Sequence, residues 1–149
     1  MASITGENII ADSKPLALPL SGRQVTQLRF DYAFGIDFCE DEKLFSLRIG
    51  MPFTMTTGPV TATYDPEKCV QCGPLLALLH TVVVSATATR KGRLEVGFTN
   101  GLTLCVDPHP QFEAWELVGS DGTRVISVPG GDVVTWGADR VKDDNAARL

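Results

Sequence analysis

The segment RLEVGFTNGLTLCV, Arg93 to Val106, leaves the chain few options. Leu94, Val96 and Phe98 alternate with other residues up to Thr99-Asn100-Gly101, and Leu102, Leu104 and Val106 alternate after it. Successive side chains of a strand point to opposite faces, so this spacing lines up one apolar face across two strands. Asn-Gly between the runs supplies residues that tolerate positive φ, as a tight hairpin requires. The pattern predicts an antiparallel hairpin with one face for a core.

The same scheme recurs. FEAWELVGSDGTRVISV alternates around a turn at Ser120-Asp121-Gly122, and GGDVVTW adds a short strand after Pro129. Upstream, Leu28, Phe30, Tyr32, Phe34, Ile36 and Phe38 fall on one side, with Arg29, Asp31, Ala33, Gly35 and Asp37 on the other. That alternation predicts a half-buried strand, bent or bulged at Gly35 because it is long for one straight strand. CEDEK turns the chain, and LFSLRIG returns with Phe45, Leu47 and Ile49 inward. TVVVSATAT, rich in β-branched residues, predicts a buried strand.

One helix interrupts the strands. Asp65-Pro66-Glu67 reads as a capped start, but Gly73-Pro74 forbids a continuous helix because proline lacks a backbone donor. The expectation is a turn over Pro66–Gln71, then a short helix from Pro74 to about His80. The predicted fold class is mainly β (α+β): a curled or partly closed antiparallel meander with one short helix. Residues 22–137 are expected to form a single β-rich domain, between a loosely ordered N-terminal arm, 1–21, and a flexible C-terminal tail, 138–149.

Composition narrows the function classes. A formal net charge of −5 opposes nucleic-acid binding, which needs a basic footprint. No apolar run approaches the roughly 20 residues that span a bilayer, so no membrane association is expected. The start lacks a basic segment followed by a continuous apolar one, which points to the cytoplasm. There the 4 cysteines are expected as reduced thiols.

Two of those cysteines stand in EKCVQCGPLL, as Cys69 and Cys72. A structural zinc needs four ligands, and no second Cys-x-x-Cys exists; Cys39, Cys105, His80 and His109 are isolated. A thioredoxin-type redox pair would need a βαβ context, which this strand-rich sequence lacks. Free thiols packed as small hydrophobes are the favoured reading, with no metal and no cofactor expected.

No Ser-His-Asp order, HExxH or phosphate-cradling glycine loop appears, so no catalytic residue is assigned. His109 lies between two prolines on a stiff connection. Glu113 is expected to share a strand face with Trp115 and Leu117, either with a raised pKa or paired with Arg48, Arg93 or Arg124. VPGGD, Val128 to Asp132, is a two-glycine turn expected to protrude. The candidate partner-binding set is His109, Glu113, Trp115, Gly130, Gly131 and Asp132.

KGRLEVGFTNGLTLCVDPHPQFEAWELVG followed by VPGGDVVTWG resembles a family of small, uncharacterised bacterial proteins of actinobacterial type. The resemblance covers roughly Arg23 to Gly137 and rests on the Glu-Ala-Trp and Pro-Gly-Gly elements; the Cys-x-x-Cys is no part of it. It implies a mainly β domain and no specific activity. By analogy, small acidic proteins of this sort resemble immunity proteins of bacterial toxin systems. The expected function is a non-enzymatic protein-interaction module, an immunity-type inhibitor that covers the active site of a protein partner such as a toxin. Two alternatives stay open: a small-ligand binder or enzyme with a pocket near Glu113, and a thiol–zinc protein. Unpaired edge strands would also allow a homodimer.

Overall fold

The computed structural model describes residues 14–137; residues 1–13 of the expected arm, and the expected tail, lie outside the described residues. The first strands are β1 (Leu16–Ala17), β2 (Gln24–Phe30), β3 (Phe34–Glu40), β4 (Lys43–Ile49), β5 (Phe53–Thr57) and β6 (Val60–Tyr64). A 3₁₀ helix over Cys69–Leu78 follows. Then come β7 (Val83–Ala88), β8 (Leu94–Phe98), β9 (Thr103–Val106), β10 (Trp115–Gly119), β11 (Arg124–Ser127) and β12 (Val133–Trp136).

These form two six-stranded antiparallel sheets, in the orders β1-β7-β8-β9-β5-β6 and β12-β11-β10-β4-β3-β2. Period-two alternation gives each sheet an apolar face, and the two faces share one core. The second sheet contributes Phe34, Ile36, Phe38, Phe45, Leu47, Ile49 and Trp115; the first contributes Phe53, Val83, Leu94, Val96, Leu104 and Val106. Phe34 and Phe53 stack across the sheets, ring centroids 5.5 Å apart. A single bridge, Gln24 to Val82, joins the start of β2 to the start of β7. The described strands therefore make a two-layer β fold without closing into a barrel.

The hairpins around Asn100-Gly101, Asp41-Glu42 and Asp121-Gly122 form where the sequence places them, with Gly101 and Gly122 at positive φ. Other expectations need correction. The alternating run from Leu28 to Phe38 is a hairpin, not one bent strand: Phe30 pairs with Phe34 around Asp31-Tyr32-Ala33. Asp31 makes that turn, its Oδ1 accepting from the Ala33 N–H at 3.0 Å and its own N–H donating to the Ala33 carbonyl. Tyr32 is consequently exposed at the tip. Asp37, on the outer face, is covered: Arg29 Nη1 and Ser46 Oγ donate to its carboxylate at 2.6 and 2.7 Å.

Gly73-Pro74 does not break the helix, which runs unbroken from Cys69 to Leu78 with Pro74 inside it. The φ that proline fixes lies within the 3₁₀ range, and each short-range turn survives the loss of one neighbouring bond. β7 is not fully buried, since a bulge at Val83/Ser85 leaves Val84 exposed. Part of the expected loose arm is anchored: β1 pairs with β7, and Leu16, Leu18 and Leu20 are buried in the core. The β5–β6 hairpin around Gly58-Pro59, in which Phe53, Met55, Val60, Ala62 and Tyr64 alternate with threonines, has no counterpart in the expectations above.

Candidate functional site

Three connections meet above the indole of Trp115. They are the β7–β8 turn at Thr89–Arg93, the β9–β10 connection at Asp107–Ala114 and the β11–β12 turn at Val128–Asp132. Trp115 is 1% exposed, and its Nε1–H donates to the Gly92 carbonyl at 2.9 Å. Ser127 Oγ donates to the same oxygen at 3.4 Å. The indole and a buried hydroxyl thus fix the floor of the cluster through one carbonyl.

The loops lock onto each other at their glycines. Gly92 has φ +100, and a Cβ there would lie 2.6 Å from the Gly131 carbonyl and 3.0 Å from Pro108. Gly131, at φ +104, would carry a Cβ 2.8 Å from the Lys91 carbonyl. Backbones this close leave no room for a side chain, and positive φ disfavours one in any case. The Gly130 N–H donates to the His109 carbonyl at 3.0 Å, and the Gly131 N–H closes a turn on the Val128 carbonyl.

On this frame His109 is half-buried, its Nδ1 accepting from the Gln111 N–H at 3.0 Å. Its ring packs tilted against Phe112, centroids 5.0 Å apart, and Phe112 is 55% exposed. Glu113, Gly130 and Asp132 are exposed nearby along the chain. The arrangement is a stiff platform presenting one large apolar ring amid polar and backbone groups, with no nucleophile and base in hydrogen-bond contact.

The candidate residues divide accordingly. His109, Gly130 and Gly131 come together through backbone bonds, beside Asp132 in the same turn. Trp115 lies beneath the surface and supports the loops rather than facing a partner. Glu113 does not share its strand face: it precedes β10, is exposed, and makes none of the expected arginine pairs. Those arginines bind other acids, Arg48 with Asp31, Arg93 with Asp107 and Arg124 with Glu116. Phe112, Gly92 and Ser127 are not among those candidates; the lone glycine in Lys91-Gly92-Arg93 is the signal the sequence offers for Gly92.

Two open grooves of the described surface lie away from Glu113. One, of about 520 Å³, is lined by Arg23 and Glu40–Lys43. The other, of about 260 Å³, is lined by Phe30, Asp31, Tyr32, Pro66, Glu67 and Cys69. Among the described residues, no three His, Cys, Asp or Glu side chains converge where a metal ion could be held. Cys69 is exposed and Cys72 is buried, its thiol donating to the carbonyls of Asp65 and Lys68 at 3.6 Å. Burial pushes the Cys72 thiol above its usual pKa, helped by the neighbouring Cys69 sulfur and Asp65. Cys105 is also pushed up by burial, against the opposing pull of Arg93. No helix of the described residues is long and apolar enough to cross a membrane.

Residues 16–137 match a family model described as a family of unknown function (DUF6188). No curated protein and no solved structure matches the chain. The match spans most of the chain, including both sheets and the loop cluster, and the chain belongs to that family.

Proposed function

We propose that this family member is a non-enzymatic protein-interaction module of the immunity type, acting in the cytoplasm, and that its loop cluster covers the active site of a protein partner such as a toxin. One observation carries the reading: Phe112 stands exposed on the His109 ring, above three loops whose backbones are fixed against one another. A rigid aromatic anchor loses little conformational freedom on docking, and such anchors dominate interface energies. The Glu-Ala-Trp and Pro-Gly-Gly elements, taken here as family marks of actinobacterial type, both belong to this cluster. Net acidity favours a basic partner surface. The edges β6 and β12, unpaired among the described residues, are where a homodimer would form.

The test is native mass spectrometry of tagged protein purified gently from the organism that encodes it. Wild type should carry a second polypeptide in stoichiometric amount. Phe112→Ala with His109→Ala should weaken its binding at least about tenfold, roughly 1.4 kcal/mol, while Val60→Ala on β6 leaves it unchanged. A bare chain, or a partner retained undiminished by the double variant, would overturn the reading.

A further inference from the structure

The Cys69–Cys72 pair takes no part in the interaction reading, and its setting in the fold gives it a chemistry of its own. Burial along the 3₁₀ helix repeats every three residues, at Cys72, Leu75 and Leu78. A 3₁₀ helix has three residues per turn, so side chains three apart eclipse. One step back on that line is Cys69, at the surface. The two sulfurs therefore lie on one line of the helix, one exposed and one beneath it. With a rise of about 2 Å per residue, their Cα atoms sit about 6 Å apart, within the span of a disulfide.

Cys69 also opens onto the groove of about 260 Å³ that Phe30, Asp31, Tyr32, Pro66 and Glu67 complete. Its walls combine two aromatic rings and a proline ring with two carboxylates. Asp31 is engaged by Arg48 at 3.2 Å, whereas Glu67 has no ion pair among the described residues. A binding place beside an exposed sulfur, with a second sulfur one turn below, suits two-step thiol–disulfide exchange.

We propose that Cys69 and Cys72 are an exchange pair that accepts a low-molecular-weight disulfide, preferentially one bearing amines, seated in this groove. Cys69 loses its proton to solvent, and its thiolate attacks one sulfur of R–S–S–R. The Cys69–S–R bond forms as R–S⁻ leaves and takes up a proton. Cys72 Sγ, deprotonated in turn, attacks Cys69 Sγ and expels the second R–S⁻, which is also protonated. Two protein thiols are oxidised to one disulfide, and one small disulfide is reduced to two thiols. Order is built in by exposure: Cys69 is at the surface and meets the disulfide first, whereas burial, with a smaller share from the Cys69 sulfur, holds the Cys72 thiol above its usual pKa. The groove shares no residue with the loop cluster, so this proposal stands or falls independently of the interaction reading.

Fully reduced full-length protein is treated with cystamine, quenched with acid, and mapped by peptide mass. Wild type should give the Cys69–Cys72 disulfide and release two equivalents of cysteamine; Cys72→Ser should stop at a Cys69 mixed disulfide, and Cys69→Ser should not react at this helix. With each rate divided by that of N-acetylcysteine, cystamine should exceed dithiodiglycolate at least tenfold, and Glu67→Gln should narrow the ratio. Circular dichroism verifies that each variant is folded, and the wild-type map needs no variant. A persistent mixed disulfide on wild-type Cys69, or a Cys69 no faster than Cys39 in the same chain, would overturn the pair. A charge preference that is absent would overturn the groove as its binding place.

Discussion

At the residue scale, the loop cluster depends on three glycines that do different things. Gly92 and Gly131 combine positive φ with a backbone carbonyl inside 3.0 Å of where a Cβ would stand, whereas Gly130 has the same sign of φ but open space. Gly130→Ala should therefore cost only the left-handed backbone penalty, about 1 kcal/mol. Gly92→Ala adds a clash with the Gly131 carbonyl that is relieved only by moving one loop away from the other, and should cost roughly 3 kcal/mol or more. Urea unfolding of the two variants measures the gap; equal losses would mean the loops do not brace each other. A second prediction concerns Asp121, whose Oδ1 accepts from the Thr123 N–H at 3.0 Å at the β10–β11 turn. That bond holds its carboxyl below the usual 3.8. A folded-state pKa below the unfolded one stabilises above the unfolded value and is lost as pH falls through the folded one. Asp121→Asn should thus lower stability near neutrality by the share the carboxylate contributes, and the two stability curves should converge as pH falls below about 4. Acid titration by circular dichroism reads this directly.

At the scale of elements, the β2–β3 hairpin explains why its turn was hidden in the sequence. Three residues, Asp31, Tyr32 and Ala33, separate the paired Phe30 and Phe34. Paired residues face the same side, and an odd turn preserves the parity, so alternation continues through the reversal as if the strand had not ended. Only Asp31, able to bond its own backbone two residues on, marked the turn. The Asn100-Gly101 hairpin was legible because its turn chemistry and its alternation agree. The 3₁₀ helix was only half legible: Gly73-Pro74 argues against a continuous helix, yet the 3₁₀ helix runs through it, and the period of three in Cys72, Leu75 and Leu78 is short enough to pass for chance. Element-level stability is testable where hairpin and helix meet. Asn100 Nδ2 donates to the Ala77 carbonyl at 3.1 Å while its Oδ1 accepts from the Leu102 N–H. Asn100→Ala should cost about 1–2 kcal/mol through both bonds, with faster hydrogen exchange at Leu102. Exchange confined to the helix, with Leu102 still protected, would show that the side chain serves the helix alone.

At the scale of the whole molecule, alternation revealed which residues are inward but not which sheet they belong to. Phe34 and Phe53 are separated in sequence by β4 and lie in different sheets, yet their rings stack. The loop cluster was hidden for the same reason: Gly92, His109 and Gly131 stand on three connections that only the pairing of two sheets assembles. His109 and the Pro-Gly-Gly turn drew notice as rigid loop chemistry, while Trp115, conspicuous in sequence, proved to be their buried support. If the sheets are one cooperative unit, contacts between them must couple energetically. Phe34→Leu and Phe53→Leu each remove a ring from the shared core, and each should destabilise. Their double variant should lose less than the sum, by the roughly 0.5–1.5 kcal/mol of an aromatic pair. Fluorescence of Trp115 and Trp136, both in the second sheet, and far-UV circular dichroism, which reports both sheets, should then follow a single transition in every variant. Additive losses, or a fluorescence transition separate from the dichroism, would show that the sheets unfold independently and that the platform above Trp115 rests on one of them alone.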